Sequence, residues 1–302
     1  MTHEILDHRL APARSWPSLR TTVELFKPIT WFAPVWAFGC GAVSAGGHAH
    51  GRLPFVVGGL VLAGPMVCGT SQAVNDWFDR HVDAINEPER PVPSGRAPGR
   101  SALWLAMIGT TASLLLAAAL GAWVLGAAVV ALVLAWAYSA PPLRLKMDGW
   151  LGPAAVAACY EGLPWITGAA VAAGAAPGGK VLALATLYSV GAHGIMTLND
   201  FKSIEGDRRM GVRSLPVRLG VDGAVRLACL VMALAQLAAA GLLAWWGRPL
   251  FAAGVDALLL VQILLMRRLL EAPREKAPWY NGTGTTLYVL GMLVAAFAVR
   301  GL

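Results

Sequence analysis

The sequence contains few charged residues for its length, and this scarcity excludes a soluble globular protein. Asp, Glu, Lys and Arg make up 14% of the 302 residues, whereas hydrophobic residues make up 57%. Soluble domains carry about 25% charged residues. The stretch between Arg100 and Arg144 contains no charged residue at all. Windows of this kind are typical of helices that cross a bilayer, at about 20 apolar residues per crossing.

The apolar windows predict nine membrane-spanning helices. The window between Arg100 and Arg144 is long enough for two crossings, which we expect to be joined near Leu120 and Gly121. The other windows of low charge lie between residues 27 and 52, 52 and 76, 148 and 180, 180 and 200, 226 and 248, 248 and 267, and 267 and 300. We therefore expect an all-α, polytopic membrane protein embedded in a lipid bilayer.

We expect no cleavable signal at the N-terminus, and the cysteines show no metal-binding pattern. Residues 1–26 carry Glu4, Asp7 and Glu24 without a continuous apolar core. We expect this part to be a cytoplasmic N-terminal segment ahead of one membrane domain, residues 27–302. The four cysteines lie within predicted spans and are expected to be reduced, small apolar residues: Cys40, Cys68, Cys159 and Cys229.

The net charge of +7 is explained by membrane topology and gives no reason to expect a nucleic-acid partner. With nine spans, the N-terminus and the even-numbered loops lie on one side of the membrane. All but four of the 24 Lys and Arg residues then lie on that side, the exceptions being Arg52, Lys180, Arg248 and Arg300. By the positive-inside rule, the side rich in Lys and Arg is cytoplasmic.

Two acidic segments resemble each other, and each follows an apolar span on the cytoplasmic side. They read NDWFDRHVD from Asn75 and NDFKSIEGD from Asn199. If each helix continues through its segment, polar residues spaced by four share one face: Asn75, Asp79 and Asp83 in the first, Asn199, Ser203 and Asp207 in the second. Unpaired carboxylates gathered in one place repel each other. Mg²⁺ prefers oxygen ligands and also binds phosphates, so the segments predict a metal site that carries phosphate.

Basic residues on the same side of the membrane are candidate phosphate ligands, because Arg binds phosphate bidentately and Lys adds a mobile charge. The candidates are Arg90, Arg96, Arg144, Lys146, Lys202, Arg208 and Arg213. For any single one, an ordinary topological role under the positive-inside rule is the alternative.

These motifs resemble the UbiA superfamily of intramembrane prenyltransferases. NDxxDxxxD followed by RPVPSGR is similar to its first signature, and YSAPPLRLK and NDFKSIEGDRRMGVRSLPVRLG are similar to later ones. CYEGLPWITGA, GAHGIMTLNDFKSIEGDR and PWYNGTGTTLYVLGM resemble the chlorophyll-synthase branch, and the resemblance covers the chain from about Leu25 onward. The second motif of the superfamily usually reads DxxxD. Here its first position is Ser203, which leaves Asp200 and Glu205 as candidates to replace it.

The resemblance implies nine helices around a central cavity, with a cytoplasmic cap that carries the aspartates. It implies a prenyltransferase that depends on Mg²⁺, with two ions expected to bind together with the prenyl diphosphate. The enzyme would move a C20 group from geranylgeranyl or phytyl diphosphate to the propionate of bacteriochlorophyllide. Other acceptors, namely chlorophyllide, a quinone precursor or haem, remain alternatives. The implied location is a bacterial cytoplasmic membrane of the photosynthetic, intracytoplasmic type, with the active site facing the cytoplasm.

The motifs and the resemblance together define the expected site. Catalysis is expected to depend on Asp76, Asp79, Asp200 and Asp207. Metal ligands are expected among Asn75, Asp79, Asp83, Asn199, Asp200, Glu205 and Asp207. Diphosphate contacts are expected from Lys27, Arg90, Arg96, Tyr138, Arg144, Lys146, Lys202, Arg208 and Arg213.

Three residues inside predicted spans are candidates for tetrapyrrole binding: His193, Glu161 and Trp165. Ionisable residues inside a membrane are functional candidates, and His193 could ligate the magnesium of the pigment. A hydrogen bond between helices is the alternative for His193 and Glu161, and plain packing is the alternative for Trp165.

Two other classes of function are compatible with parts of the pattern. A divalent-cation transporter would use intramembrane acids, although its acids are expected near the membrane midplane rather than at helix ends on one side. A non-catalytic pigment scaffold would need the tetrapyrrole contacts but not the acidic repeats.

Overall fold

The computed structural model describes residues 16–46 and 51–300, and the regular structure in these ranges is helical. The α-helices are α1 (Leu19–Phe26), α2 (Phe32–Ser44), α3 (Leu53–Val61), α4 (Gly69–Asn86), α5 (Ser101–Leu120), α6 (Ala122–Ser139), α7 (Leu151–Ala157), α8 (Leu163–Ala173), α9 (Gly179–Asn199), α10 (Ile204–Arg209), α11 (Leu215–Trp245), α12 (Pro249–Glu271) and α13 (Pro273–Ala298). The expectation of an all-α protein is confirmed for this part of the chain.

Seven helices of the described chain are long and apolar enough to cross a membrane. One of them is the continuous helix Leu53–Asn86, in which a π-helical segment, Leu62–Cys68, joins α3 to α4. The segments predicted as spans 1 and 5 are also helical. Span 1 is a single short helix, the 13-residue α2. Span 5 consists of α7 and α8, which are joined by the π-helical segment Ala158–Gly162. The multi-pass architecture is thus confirmed, while the number nine stays a prediction.

The predicted connection within the long uncharged stretch is confirmed. Helix α5 ends at Leu120 and α6 begins at Ala122. The single linking residue, Gly121, has φ = 132°, a conformation that side chains rarely tolerate. A glycine at this position therefore allows two spans to follow each other with no longer loop.

Large apolar side chains on the outer helix surfaces are exposed, as expected for contact with lipid. Leu250 is 86% exposed, and the side chains of Leu115 and Trp245 are also exposed. A soluble protein rarely exposes apolar patches on this scale, whereas in lipid such surfaces carry no penalty.

Helices inside the bundle approach closely where glycines replace side chains. Helix α2 packs along α8 through a reciprocal pair, Gly41 and Gly168. A Cβ at Gly41 would lie 2.0 Å from the Trp165 carbonyl oxygen, and one at Gly168 would lie 2.0 Å from the Phe38 carbonyl oxygen. Small residues at such crossings let helix backbones come into van der Waals contact.

Buried hydrogen bonds fix the C-terminal helices. Gln236 of α11 and Gln262 of α12 donate to each other at 3.2 and 2.8 Å. The Tyr288 hydroxyl of α13 donates to the Tyr188 carbonyl of α9 at 2.6 Å. Polar pairs of this kind help to align helices where no water competes for the donors.

The N-terminal segment contains one short helix in the described part of the chain. The Ser18 hydroxyl caps α1 by accepting from the Thr21 amide at 3.2 Å, and Leu25 is fully buried. Glu4 and Asp7 lie outside the described residues. All four cysteines are free thiols, as expected.

The helix that carries the second acidic segment does not continue through Asp207, so that expectation is wrong. Helix α9 ends at Asn199, a 3₁₀ turn spans Asp200–Lys202, and α10 begins at Ile204. The Ser203 amide and hydroxyl both donate to the Asp200 carbonyl at 3.1 Å. Local bonds of this type compete with the helical ladder and end the helix.

Candidate active site

A cavity of about 890 Å³ lies at the end of the bundle where both acidic segments are found. Its walls are formed by α4, the end of α6, residues 144–149, α7 with the following π segment, the end of α9 and residues 200–214. The predicted site residues that line it are Asn75, Asp79, Asp83, Tyr138, Arg144, Lys146, Asn199, Asp200, Lys202 and Asp207. The structure therefore brings both acidic segments to one cavity, as the sequence predicted.

The first wall is the face of α4. The Asn75 amide nitrogen donates to Asp79 Oδ2 at 2.7 Å and to the Ser139 hydroxyl at 3.1 Å. Lys146 forms an ion pair with the other oxygen of Asp79. One turn further along, Asp83 pairs with Arg90 at 3.0 Å. The carboxylates of Asp79 and Asp83 repel each other, and these cations only partly neutralise them.

The second wall is formed by the broken helix after α9. Asp200 and Asp207 both reach the cavity, and their charges repel each other. Asp207 is 8% exposed, and the Ser203 hydroxyl donates to its Oδ2 at 3.2 Å. Burial raises the pKa of Asp207 above its ordinary value, although the hydrogen bond from Ser203 works in the opposite direction. Ser203, which replaces the usual aspartate, thus supports Asp207.

The third wall is the segment from Arg144 to Gly149. Arg144 has φ = 42°, which is unusual for a residue with a side chain and is often found at functional sites. Burial lowers the pKa of Lys146, and its ion pair with Asp79 works against that shift. The third wall therefore presents cations to the acids of the first.

Backbone hydrogen bonds join the third wall to the second. The Gly149 amide donates to the Arg213 carbonyl at 2.9 Å, and the Arg213 amide donates to the Met147 carbonyl at 3.0 Å. A Cβ at Gly149 would lie 2.5 Å from the Leu215 amide nitrogen. Only glycine allows this approach, so Gly149 holds two motif segments together.

Asp76, predicted to be catalytic, is buried beside the cavity and does not line it. It is 1% exposed, and its Oδ1 lies 2.7 Å from Lys27 and 3.6 Å from Arg90. On a helix, residues 76 and 79 are three positions apart, but here only Asp79 faces inward. Lys27 pairs with Asp76, and Arg90 pairs with both Asp76 and Asp83. The pair between Lys27 and Asp76 links the end of α1 to α4.

Four other predicted residues lie on the surface, outside the cavity lining. Arg96 pairs with Glu24 at 2.5 Å, and Glu205 pairs with Arg274 at 3.1 Å. Arg208 and Arg213 are exposed at the same end of the bundle. Glu205 is therefore not brought to the cavity, and Asp200 is the acid that accompanies Asp207.

The three candidates for tetrapyrrole binding are not part of the cavity lining. The His193 Nε2 lies 3.2 Å from the Trp150 carbonyl oxygen, and its ring is 5.8 Å from the Trp150 indole. Glu161 is 3% exposed, and its Oε2 has no hydrogen-bond partner among the described residues. Trp165 is fully buried and donates to the Ser44 hydroxyl at 3.1 Å, so it offers no free face to a pigment.

Sequence reasoning missed Gln72 and Tyr160, which also line the cavity. The Tyr160 hydroxyl accepts from Gln72 Nε2 at 3.1 Å and from Cys68 Sγ at 3.7 Å. Gln72 lies one turn before Asn75 on the same helix face, so its spacing could have indicated it. Tyr160 is placed by the π segment Ala158–Gly162, which no simple periodicity reveals.

The donor set is suited to Mg²⁺ that also binds a substrate. Among the described residues, no three His, Cys, Asp or Glu side chains converge closely enough to hold an ion by themselves. Mg²⁺ commonly takes one or two carboxylates and completes its shell with water and phosphate oxygens. Four carboxylates on two walls, all with hard oxygen donors, match that mode of binding.

Comparison with known proteins places the chain within one family. Residues 32–290 match the family model of the UbiA prenyltransferases. The chain is 58% identical over 289 residues to the bacteriochlorophyll synthase 33 kDa chain of Cereibacter sphaeroides, with 96% of each chain covered. It is 52% identical over 296 residues to the corresponding Rhodobacter capsulatus chain, with 97% of each covered. It is 37% identical to the chloroplastic chlorophyll synthase of Oryza sativa, over 91% of this chain and 76% of that one.

Solved structures with little sequence identity share the fold. A UbiA homologue from Archaeoglobus fulgidus, bound to GPP and Mg²⁺, has a TM-score of 0.72 at 20% identity. The match covers 93% of this chain and all of the other. A digeranylgeranylglyceryl phosphate synthase also has a TM-score of 0.72, at 22% identity, with 92% of this chain and 98% of that one covered.

Proposed function

The chain belongs to the UbiA prenyltransferase family, and we propose that it is a bacteriochlorophyll synthase. In this proposal it transfers a C20 prenyl group from geranylgeranyl or phytyl diphosphate to the propionate of bacteriochlorophyllide and releases diphosphate. Identities of 58% and 52% to two bacteriochlorophyll synthase chains, over nearly the full length, support the choice of acceptor.

One observation carries the chemical part of the proposal. Carboxylates from the two acidic segments, together with Arg144, Lys146 and Lys202, line one cavity whose remaining walls include apolar residues such as Leu134 and Val156. A prenyl diphosphate has the same polarity pattern, with a highly charged head and an apolar chain. Because the acids lie at one end of the bundle, the arrangement supports head-group chemistry at a membrane surface better than passage of an ion through the midplane.

The proposed reaction breaks the bond between C1 of the prenyl group and the diphosphate oxygen. The electron pair leaves with diphosphate, and one propionate oxygen forms a new bond to C1. The acceptor carboxylate is ionised at neutral pH, because an ordinary carboxylic acid titrates near pH 4. The site therefore needs no strong general base; its task is to stabilise the leaving diphosphate and to keep water away.

The protein residues divide this task between them. Mg²⁺, proposed as two ions, would neutralise charge on the departing diphosphate. Asp79, Asp83, Asp200 and Asp207, with the carbonyl oxygen of Asn75, are the residues that would hold it. A UbiA homologue of the same fold that is bound to GPP and Mg²⁺ supports a Mg²⁺-dependent reaction.

The cations and the apolar lining act on the two ends of the donor. Arg144, Lys146 and Lys202 would bind the diphosphate oxygens, and charge-assisted hydrogen bonds of this type are the stronger ones in proteins. Leu134 and Val156 line the apolar part, where they would exclude the water that otherwise captures an allylic cation.

The acceptor is proposed to dock near His193 and Trp150. The His193 ring of α9 packs against Trp150, the residue that directly precedes α7, and His193 comes seven positions before Asp200, about 10 Å at 1.5 Å per helical residue. If Nε2 donates to the Trp150 carbonyl, Nδ1 remains free to ligate the pigment magnesium. His193→Ala should then weaken bacteriochlorophyllide binding much more than prenyl diphosphate binding. Equal acceptor affinities of variant and parent would leave His193 as a packing residue.

Purified protein tests the proposal directly. Bacteriochlorophyllide, labelled geranylgeranyl diphosphate and Mg²⁺ should yield a prenyl ester that is identified by mass, and EDTA should stop its formation. Phytyl diphosphate, chlorophyllide and a quinone precursor in parallel reactions measure selectivity. Ester formation with a quinone precursor but not with bacteriochlorophyllide would contradict the proposed acceptor while retaining the reaction class.

The proposed orientation places the cavity at the cytoplasmic face of a bacterial photosynthetic membrane. Nearly all Lys and Arg residues fall on the side of the loops that surround it, which supports this orientation.

A further inference from the structure

We propose that Asn281 of α13 fixes the side-chain amide of Asn199 so that Asn199 offers its N–H group, and not its carbonyl oxygen, to the diphosphate. Asn199 would then be an anion-binding residue rather than the metal ligand that its motif suggests, and Asn281 would be a positioning residue. The inference rests on the proposed function for the identity of the anion.

The geometry of the two amides is the starting point. Asn281 Nδ2 donates to Asn199 Oδ1 at 2.8 Å, across 82 positions of sequence. Asn199 lines the cavity, and its own Nδ2 lies 3.8 Å from the sulfur of Met196, which also lines the cavity. The carbonyl oxygen of Asn199 is thus engaged by α13, while its amide nitrogen has only a weak acceptor.

The opposite orientation of the pair is less favourable. Turning both amides over would let Asn199 donate to Asn281, but it would place the Asn199 carbonyl oxygen against the Met196 sulfur. Both atoms are acceptors, so that contact would lose its donor. The observed arrangement also leaves the Asn281 Oδ1 buried and without a partner among the described residues.

The equivalent residue of the first segment behaves in the opposite way. Asn75 uses its amide nitrogen inside the protein, donating to Asp79 and to Ser139. Its carbonyl oxygen therefore remains for a cation. The two asparagines of the repeated motif hence present opposite atoms to one cavity: a potential metal ligand from α4 and a hydrogen-bond donor from α9.

Helix α13 is placed to hold Asn199 steadily. It packs against the 3₁₀ turn Asp200–Lys202, and Arg274 near its start pairs with Glu205 of α10 at 3.1 Å. Asn281 therefore belongs to a wall that supports the second acidic segment from behind. A donor fixed in this way suits a diphosphate oxygen, because hydrogen bonds to charged acceptors are stronger than neutral ones.

Binding of inorganic pyrophosphate, measured by calorimetry in EDTA and again in Mg²⁺, separates the two roles. A donor contact does not need the metal. Asn281→Leu and Asn199→Leu should therefore each weaken pyrophosphate binding about tenfold even in EDTA. The double variant should be no weaker than either single one, since both substitutions remove the same contact.

A matched control comes from the same helix. The Thr286 hydroxyl donates to the Gly282 carbonyl of its own helix at 3.0 Å, and Thr286 is not among the described residues that line the cavity, so Thr286→Ala should leave pyrophosphate affinity unchanged. Apparent Tm in detergent should agree among all variants, which excludes loss of folding as the cause. In turnover, Asn281→Leu should raise the KM for prenyl diphosphate and leave the KM for bacteriochlorophyllide unaltered.

Three results would overturn the inference. Weaker binding that occurs only in Mg²⁺ would make Asn199 a metal ligand after all. Unchanged affinity in Asn281→Leu would remove its positioning role, and a parent protein that binds no pyrophosphate in EDTA would remove the donor contact. Failure of the proposed function is distinguishable, because it would appear as absence of the ester product from the parent protein whatever the binding data show.

Discussion

Replacing Asp207 with asparagine should stop catalysis and at the same time make the folded protein more stable. Asp207 is buried at the cavity wall, with the Ser203 hydroxyl as a hydrogen-bond donor at 3.2 Å and no cation paired with it in the described chain. A carboxylate in such a place is held for function at a cost in folding free energy. Asparagine keeps the size and the hydrogen bond to Ser203 but loses the charge.

The two effects have different magnitudes and opposite signs. Single electrostatic contacts to a developing charge contribute about 10²–10³ in kcat, so Asp207→Asn should lower turnover by at least that factor. Removing a poorly compensated buried charge contributes about 1–2 kcal/mol of stability, which corresponds to a rise in apparent Tm of about 2–5 °C for a chain of this size.

The stability difference should depend on pH. Burial raises the pKa of Asp207 in the folded state, so the protonated form is the one that folding favours. The group therefore stabilises the fold when protonated at low pH, and that contribution is lost as the pH rises through its folded-state pKa. The gap in apparent Tm between Asp207→Asn and the parent should accordingly be widest at neutral pH and should close on acidification.

Differential scanning fluorimetry at a series of pH values, together with ester formation at neutral pH, measures both effects. Glu205→Gln is the matched control: Glu205 lies on the same helix, α10, but is exposed and paired with Arg274. It should retain most of its turnover and show no stabilisation. A lower Tm for Asp207→Asn at neutral pH, or turnover near that of the parent, would refute the reasoning.

Three further predictions concern topology, packing and the buried acid. Ser94→Cys should react with a membrane-impermeant maleimide only from the cytoplasmic side, and Gly178→Cys should react only from the opposite side. Labelling of both cysteines from the same side would contradict the nine-span topology. Gly149→Ala should lower both turnover and apparent Tm, because a Cβ there would lie 2.5 Å from a backbone nitrogen; Gly126→Ala, with nothing within 4 Å, should change neither. Asp76→Asn should lower apparent Tm while folded protein keeps substantial kcat, because the side chain is paired with Lys27 outside the cavity; complete loss of kcat in well-folded protein would restore its catalytic role.

The sequence predicted the parts of the fold that depend on composition and on short-range pattern. Uncharged windows indicated the membrane helices, and the junction at Gly121 followed from their length alone. It did not indicate the π segments at Leu62–Cys68 and Ala158–Gly162, because the apolar pattern of a span is the same whether one turn is α or π.

The site was predictable where residues share a helix face and less so where the backbone leaves the helix. Asn75, Asp79 and Asp83 follow the spacing of α4, and all three reach the cavity. Asp207 reaches it by a different route, since the chain breaks after Asn199. The position of a charged side chain also depends on its partners.

Long-range pairing decided the remaining assignments. Lys27 approaches Asp76 from 49 positions away, and Arg274 holds Glu205 outside the cavity. The bond from Asn281 to Asn199 joins positions 82 apart. Nothing in the local pattern around these residues encodes such contacts, because they depend on how whole helices pack.

The fate of the propionate oxygens tests the central claim most directly. Purified protein is supplied with Mg²⁺, geranylgeranyl diphosphate and bacteriochlorophyllide that carries ¹⁸O in both propionate oxygens. The masses of the ester and of the released diphosphate are then measured by mass spectrometry. Cleavage of the prenyl C–O bond predicts an ester that keeps both labels and a diphosphate that carries none. Transfer of one label to the phosphate product, or the absence of any ester, would contradict the account.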